Sequence, residues 1–287
     1  MMWIFLNDRF VRKEDALISV FDHGFLYGDG VYETLRAYGG RIFRLRQHLA
    51  RLRRSASLIG LDVPMVEQDL IPVLQEAMKR NDLSDAYLRI TISRGEGSIG
   101  LDPRLCPRPT VVVINLPLQP YPVELFNAGV SLAVVNVRRN LATALPPMIK
   151  SLNFLNNILA KQEASRAGAF DGLMLNAEGH ITECTTSNIF FVKNGCVYTP
   201  SVACGILDGI TRETVLSLAR EQEFPTEEGC YKPEALLEAD ECFLTNTTME
   251  IMPVQDIDKR PIGKERPGPV TGRLRELFRA NLPRFLE

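Results

Sequence analysis

KSLNFLNNILAKQEASRAG at residues 150–168, followed by GLMLNAEGHITECTTSNIFFVKNGCVYTP at 172–200, carries the reading of the fold. In the first stretch Leu152, Leu155, Ile158 and Leu159 recur at helical spacing, which predicts an amphipathic helix with one apolar face. Gly168 supplies its stop. The second stretch reads as three strands joined by the turns AEG and KNG. Helix and strands side by side predict an α+β chain.

Working outward, GITRETVLSLAREQ at 209–222 opens a further helix, and ECFLTNTTMEIMPV at 241–254 supplies a strand and a loop. Upstream, SLAVVNVRRN at 131–140 reads as a strand running toward Pro146 and Pro147. The N-terminal third alternates strand and helix signals. WIFLNDRFV at 3–11 is a hairpin arm, and RIFRLRQHLARLRRSASLIG at 41–60 and VEQDLIPVLQEAMKRND at 66–82 are amphipathic helices. AYLRITISRG at 86–95 is a strand by the alternation of Leu88, Ile90 and Ile92, and PRPTVVVINLP at 107–117 follows it. LPLQPYPVELFNAG at 116–129 holds three prolines, which break any helix there. This predicts an interdomain connection at 117–127, between a small N-terminal α/β domain over 1–120 and a larger C-terminal domain over 128–287.

A chain of 287 residues with 45% hydrophobic content can bury substantial cores. Its 33 basic and 35 acidic residues are scattered, so nothing suggests a nucleic acid or an anionic membrane as partner; a small molecule fits better. The apolar run from Met1 to Leu6 is cut short by Asp8, Arg9 and Arg12, and no segment nears the ~18 apolar residues of a membrane span. The chain therefore reads as soluble and cytoplasmic. Six cysteines at 106, 184, 196, 204, 230 and 242 form no CxxC pair, and only three histidines accompany them. That pattern predicts reduced thiols and no metal site.

Gly95, Gly97 and Gly100 in RGEGSIG satisfy the spacing of a dinucleotide-binding turn. Such a turn needs a helix opening on its third glycine, and LDPRLCPRP follows instead, so a plain glycine-rich turn is the better reading. In GITRETV, Ile210 and Thr211 open a helix whose unpaired amides suit an anion. In TNTTMEI, Asn246, Thr247 and Thr248 suit oxyanion binding or a side-chain-stabilised turn equally. Lys150 enters a run of apolar and amide residues. Solvated, it is an ordinary surface cation; buried, its amine loses charge more readily and becomes available for Schiff-base chemistry. Glu183, among small and apolar residues, lies either at an edge or paired with a cation indoors.

Taken in order, HGFLYGDGVYETLRAYGGRIFRLRQHLARL, YLRITISRGEGSIGLDP, IKSLNFLNNILAKQEA, ITECTTSNIFF, GITRET and TNTTMEIMPV resemble the class IV pyridoxal-phosphate-dependent aminotransferases over nearly the whole chain. The resemblance implies a two-domain fold-type-IV enzyme, a homodimer or dimer-based oligomer, with pyridoxal 5′-phosphate (PLP) between the domains. It implies Lys150 as the Schiff-base residue, Glu183 facing the pyridine nitrogen, and Arg51, Ile210, Thr211 and Thr247 around the phosphate. Tyr87 and Arg89, in the segment YLR, resemble the substrate-binding pair of branched-chain enzymes, with the amides of Thr248 and Met249 holding the α-carboxylate. The implied substrates are an amino acid, first a branched-chain L-amino acid, and 2-oxoglutarate, exchanged by a ping-pong scheme.

The sequence departs from the branched-chain pattern at several positions. Tyr32 and Arg94 have counterparts in D-amino-acid transaminases, where the arginine grips a carboxylate. Thr34 and Asn246 are similar to aminodeoxychorismate lyases, and Phe154 replaces a tyrosine that bonds the cofactor's phenolic oxygen. D-amino-acid transamination and PLP-dependent lyase chemistry are the alternatives.

Overall fold

The computed structural model describes residues 2–65 and 67–287, which divide into two compact units. Val66, where the third predicted element begins, lies outside the described residues. The first unit runs through Gln119 and takes back Ile149–Asn153 and Arg284–Glu287; the second comprises Pro120–Met148 and Phe154–Pro283. The chain thus crosses between units more than once, which a division at a single boundary leaves out.

The first unit contains strands β1 (Trp3–Leu6), β2 (Arg9–Arg12), β3 (Gly30–Tyr38), β4 (Arg41–Ile42), β5 (Ala86–Ser93) and β6 (Thr110–Pro117), with helices α1 (His23–Tyr27), α2 (Leu45–Leu58) and α3 (Glu67–Arg80). The strands form an antiparallel sheet in the order β2-β1-β6-β5-β3-β4. Alternation in β5 buries Ala86, Leu88, Ile90 and Ile92, so Tyr87, Arg89 and Thr91 point to the opposite, half-buried face. Register sets Thr34 opposite Arg89 and Tyr32 opposite Thr91, which puts all four on that face.

Ile149–Asn153 lies extended beside the start of β3. Ser151 bridges Val31, the Tyr32 amide donates to the Lys150 carbonyl at 3.0 Å, and the Leu152 amide donates to the Gly30 carbonyl at 2.9 Å. Lys150 and Leu152 are therefore strand-like residues, not helical ones. The helix expected from residue 150 begins at Leu155.

The second unit contains α4 (Val123–Ala128), β7 (Val130–Val134), α5 (Leu155–Arg166), β8 (Asp171–Leu175), β9 (Ile181–Cys184), β10 (Asn188–Lys193), β11 (Cys196–Pro200), α6 (Ile210–Glu221), β12 (Thr226–Gly229), α7 (Glu234–Leu237), β13 (Glu241–Asn246), β14 (Glu250–Ile257), β15 (Arg260–Pro261) and α8 (Pro269–Asn281). Its sheet runs β12-β11-β10-β13-β14-β7-β8-β9, with β15 on β14. The mixed helix-and-sheet composition matches the α+β expectation. Phe190 of β10 and Phe243 of β13 stack at 4.9 Å between ring centroids in its core.

Three sequence expectations change here. The prolines of 117–122 do not exclude a helix; they precede one, because Pro122 caps α4 with φ −52° and leaves no interior N–H missing. The stretch 172–200 lies within four strands rather than three, since the bend at Thr185–Ser187 separates β9 from β10. The reading of 241–254 as one strand and a loop becomes two strands, β13 and β14, around a tight turn.

The expected inner face of α5 is also different. Leu155, Ile158 and Leu159 are exposed, and Ala160 and Ala164 are fully buried against Val135 and Met174. The close approach is possible because Gly172 faces the helix: a Cβ there would sit 3.1 Å from the Ala160 carbonyl oxygen. Among the described residues no helix is long and apolar enough to cross a membrane.

Candidate functional site

In the first unit the chemistry gathers around Tyr32, which is buried. Lys150 Nζ donates to the Tyr32 hydroxyl at 3.0 Å and lies 4.4 Å from the ring centroid. The Arg89 guanidinium stacks on the same ring at 4.1 Å, while its Nε donates to Thr91 Oγ1 at 3.2 Å. The Lys150 amide donates to Ser55 Oγ of α2 at 3.1 Å, so both backbone groups of the lysine are fixed and only its side chain is free to work. The half-buried Lys150 amine thus sits against Tyr32, whose ring also carries the Arg89 guanidinium.

Arg51 is buried on α2 and clamps Glu33 of β3 with two bonds, Nε to Oε1 at 2.7 Å and Nη2 to Oε2 at 2.9 Å. His48 Nδ1 lies 2.8 Å from Glu33 Oε2, and with an anionic Glu33 it is the donor. Burial alone would raise the Glu33 pKa, but Arg51 and His48 outweigh it and hold the carboxyl well below the usual range. Burial lowers the His48 pKa more than the contact with Glu33 raises it. Glu33 and His48 escaped the sequence reading; an acid inside the otherwise apolar opening of β3 was the available signal.

This cluster carries a stability prediction. Glu33→Gln leaves Arg51 buried without its anion and costs about 3–5 kcal/mol. Because the folded pKa of Glu33 is depressed, its stabilisation is complete above the unfolded value of ~4.3 and fades as pH falls below that toward the folded value. Urea unfolding of wild type and variant at pH 7 and pH 3 checks this. The gap between them is expected to narrow at the lower pH.

Arg94, expected from the resemblance to meet a substrate carboxylate, is engaged by the fold. Its Nε and Nη2 hold Asp29 at 2.9 and 3.1 Å, and Nη2 and Nη1 donate to the carbonyls of Ile59 and Gly60 at 2.8 and 2.7 Å. Four bonds commit this buried guanidinium to the fold. The turn that follows it is a glycine turn: Gly95 has φ +95°, a Cβ there would meet the Arg108 carbonyl oxygen at 1.9 Å, and no helix opens at Gly100.

In the second unit Glu183 is buried on β9 and receives donors on both oxygens. Arg139 Nε reaches Oε1 at 2.9 Å; Asn188 Nδ2 and the Leu207 amide reach Oε2 at 3.2 and 3.1 Å. Hydrogen bonds to the charged form favour a carboxylate. The open question of edge or paired is thus answered as paired. Arg139 and Asn188 were not singled out in the sequence, being 44 and 5 residues away from Glu183.

Helix α6 starts at Ile210 with Gly209 as its N-cap, and no side chain caps its free amides. Thr211 is buried, and its Oγ1 has no hydrogen-bond partner among the described residues. An uncapped helix N-terminus with an orphaned hydroxyl suits a phosphate. Gly209 is required by close approach, since a Cβ would fall 2.0 Å from Asn188 Oδ1. Gly209→Ala should displace Asn188, which also donates to the Leu207 carbonyl at 2.9 Å, and cost about 1–3 kcal/mol by overpacking. Thermal or urea unfolding measures it.

The turn between β13 and β14 carries Thr247, half-buried, and the amides of Thr248 and Met249. Asn246 Oδ1 accepts from those two amides at 3.1 and 2.8 Å, which makes this the side-chain-stabilised turn left open by the sequence. A cavity of about 390 Å³ adjoins it, lined by Tyr121, Phe154, Thr185, Thr186, Asn246 and Met249 among others. Phe154 thus faces a cavity with a ring and no hydroxyl. Among the described residues no group of three His, Cys, Asp or Glu side chains is placed to hold a metal ion.

Residues 30–257 match the amino-transferase class IV family. A protein of Methanocaldococcus jannaschii assigned as a branched-chain-amino-acid aminotransferase is 44% identical over 97% of this chain and 96% of its own length. The D-alanine aminotransferase of Bacillus licheniformis is 37% identical over 94% and 93%, and the aminodeoxychorismate lyase of Bacillus subtilis 34% over 99% and 96%. Among solved structures, a T.th. branched-chain amino acid aminotransferase with pyridoxamine 5′-phosphate superposes with a TM-score of 0.95 at 33% identity, covering 100% of this chain and 98% of that one.

Proposed function

The chain belongs to the class IV aminotransferases, and on that premise we propose that it binds PLP through Lys150 and moves an amino group from a branched-chain L-amino acid to 2-oxoglutarate. The observation that carries the reading is Lys150 Nζ, held at Tyr32 by a backbone fixed on both sides. PLP, when bound, supplies the carbonyl that takes the amino group and a ring that accepts the electron pair left at Cα. Lys150 Nζ would move the Cα proton as a general base and acid. The Glu183 carboxylate, positioned by Arg139, Asn188 and the Leu207 amide, would hold the pyridine nitrogen protonated. The α6 amides at Ile210 and Thr211, the Thr211 and Thr247 hydroxyls and Arg51 would hold the phosphate.

On the substrate side, Tyr32, Tyr87 and Arg89 share one face of a sheet and would orient the amino acid, with the Thr248 and Met249 amides turned to its carboxylate when Asn246 releases them. Donor and acceptor would use the site in turn, the ping-pong order. The commitment of Arg94 to Asp29, Ile59 and Gly60 favours the branched-chain reading over D-amino acids, whose reading rested partly on that arginine. A homodimer belongs to the proposal as well. Leu155, Ile158 and Leu159 in the second unit, and Leu17, Val20 and Phe25 in the first, are exposed apolar side chains of the kind a second copy covers.

The deciding experiment offers L-Leu, L-Glu, D-Ala and D-Glu singly to the PLP-loaded protein and follows the visible absorbance of the cofactor. Conversion by L-Leu and L-Glu is expected. Conversion by D-Ala with none by L-Leu overturns the substrate assignment and leaves the cofactor assignment standing.

A further inference from the structure

Cys204 and Cys230 lie in contact, with a Sγ···Sγ distance of 2.9 Å. Neither belongs to the chemistry described above, and both are free thiols. The backbone brings them together. β11 and β12 run parallel with Pro200 opposite Gly229, the Ser201 amide donates to the Gly229 carbonyl at 2.9 Å, and each cysteine follows its strand within a few residues. The two thiols differ in access: Cys204 is buried, whereas Cys230 is exposed. Burial, with the bond to Cys230, pushes the Cys204 thiol up to about 11, which leaves the exposed Cys230 as the first to react.

We propose that Cys204 and Cys230 form a reversible oxidation site that reacts with small-molecule disulfides, the exposed Cys230 attacking first and the buried Cys204 resolving. In the first step the Cys230 thiolate attacks one sulfur of the incoming disulfide. That S–S bond breaks and one small thiolate leaves, giving a mixed disulfide on Cys230. In the second step Cys204 gives its proton to the departed thiolate and attacks Cys230 Sγ; the mixed S–S bond breaks and the second small thiol leaves after taking up the proton lost earlier by Cys230. Two protein thiols are oxidised by two electrons, and one small disulfide is reduced to two thiols.

The position gives the bond a consequence. Cys204 ends the turn that leads through Gly205 to Leu207, whose amide holds Glu183 and whose carbonyl is held by Asn188. A Cys204–Cys230 bond would tie the start of that loop to the end of β12, and a mixed disulfide alone would not.

The test uses the full-length PLP-loaded protein, incubated with oxidised glutathione, denatured, alkylated with iodoacetamide and analysed by peptide mass. The expected result is loss of alkylation at Cys204 and Cys230 together, a peptide pair joined through those two residues, and full recovery with dithiothreitol. In Cys230→Ser, an exposed and conservative change, Cys204 should remain fully alkylatable. The proposal is overturned if both residues stay alkylatable in the wild type, if Cys230 stops at the glutathione adduct, or if Cys204 pairs with another cysteine. Transamination need not be measured, so this result is separate from that of the substrate screen.

Discussion

Replacing Lys150 by alanine lowers transamination by about 10⁴-fold, the upper end of what a positioned acid–base group contributes. The backbone at residue 150 is anchored by Ser55 and Tyr32 through its amide and carbonyl, neither of which needs the lysine side chain. The variant should therefore fold. What it loses is the amine 3.0 Å from the Tyr32 hydroxyl and its contact with the Tyr32 ring, worth about 0.5–1 kcal/mol of stability. Lys150→Arg separates charge from chemistry: it restores a cation over Tyr32 but cannot give up its proton, and so stays inactive. Single-turnover conversion of L-Leu, with thermal unfolding as a control, checks both variants. An alanine variant within tenfold of wild-type turnover would remove Lys150 from the mechanism.

Glu183→Gln should lower kcat by about 10²–10³-fold, the scale of losing one preorganised electrostatic contact. Glutamine keeps the shape but not the charge that would hold the pyridine nitrogen protonated. The same change leaves Arg139, which is buried, without its anion and destabilises the fold by about 3–5 kcal/mol. Two effects on one residue need separating. Arg139→Gln removes the ion pair and leaves Glu183 with its Asn188 and Leu207 donors, so it should lose stability to a similar degree but retain far more turnover. Equal losses of kcat in the two variants would make Glu183 a structural residue only.

What sequence could and could not reveal follows the range of the interactions. The strands of the first unit were legible because alternation is local: Leu88, Ile90 and Ile92 are buried, and Tyr87 and Arg89 turn outward together. The helix after Lys150 was displaced because its start depends on where Ile149–Asn153 pairs with β3, more than a hundred residues away in sequence. Its buried face was misread for a related reason. Leucine spacing identified an apolar stripe, but the two alanines, being small, are what allow the helix to approach Gly172.

The site was legible where residue type alone limits the chemistry. A lysine, a carboxylate and a helix start opening on Gly209 could be named from the chain. Their partners could not: Arg139, Asn188, Glu33 and His48 are ordinary polar residues until the fold brings them into contact. Arg94 shows the opposite limit: from sequence a guanidinium reads as a carboxylate grip, and only the fold shows its contacts with Asp29, Ile59 and Gly60.

The central claim is that Lys150 carries the cofactor. The most direct measurement is to load the purified protein with PLP, reduce it with borohydride, digest it and locate the pyridoxyl group by peptide mass. A single modified peptide containing Lys150, absent from Lys150→Ala, is the expected result. No pyridoxyl peptide, or one on a different lysine with Lys150 unmodified, would contradict it.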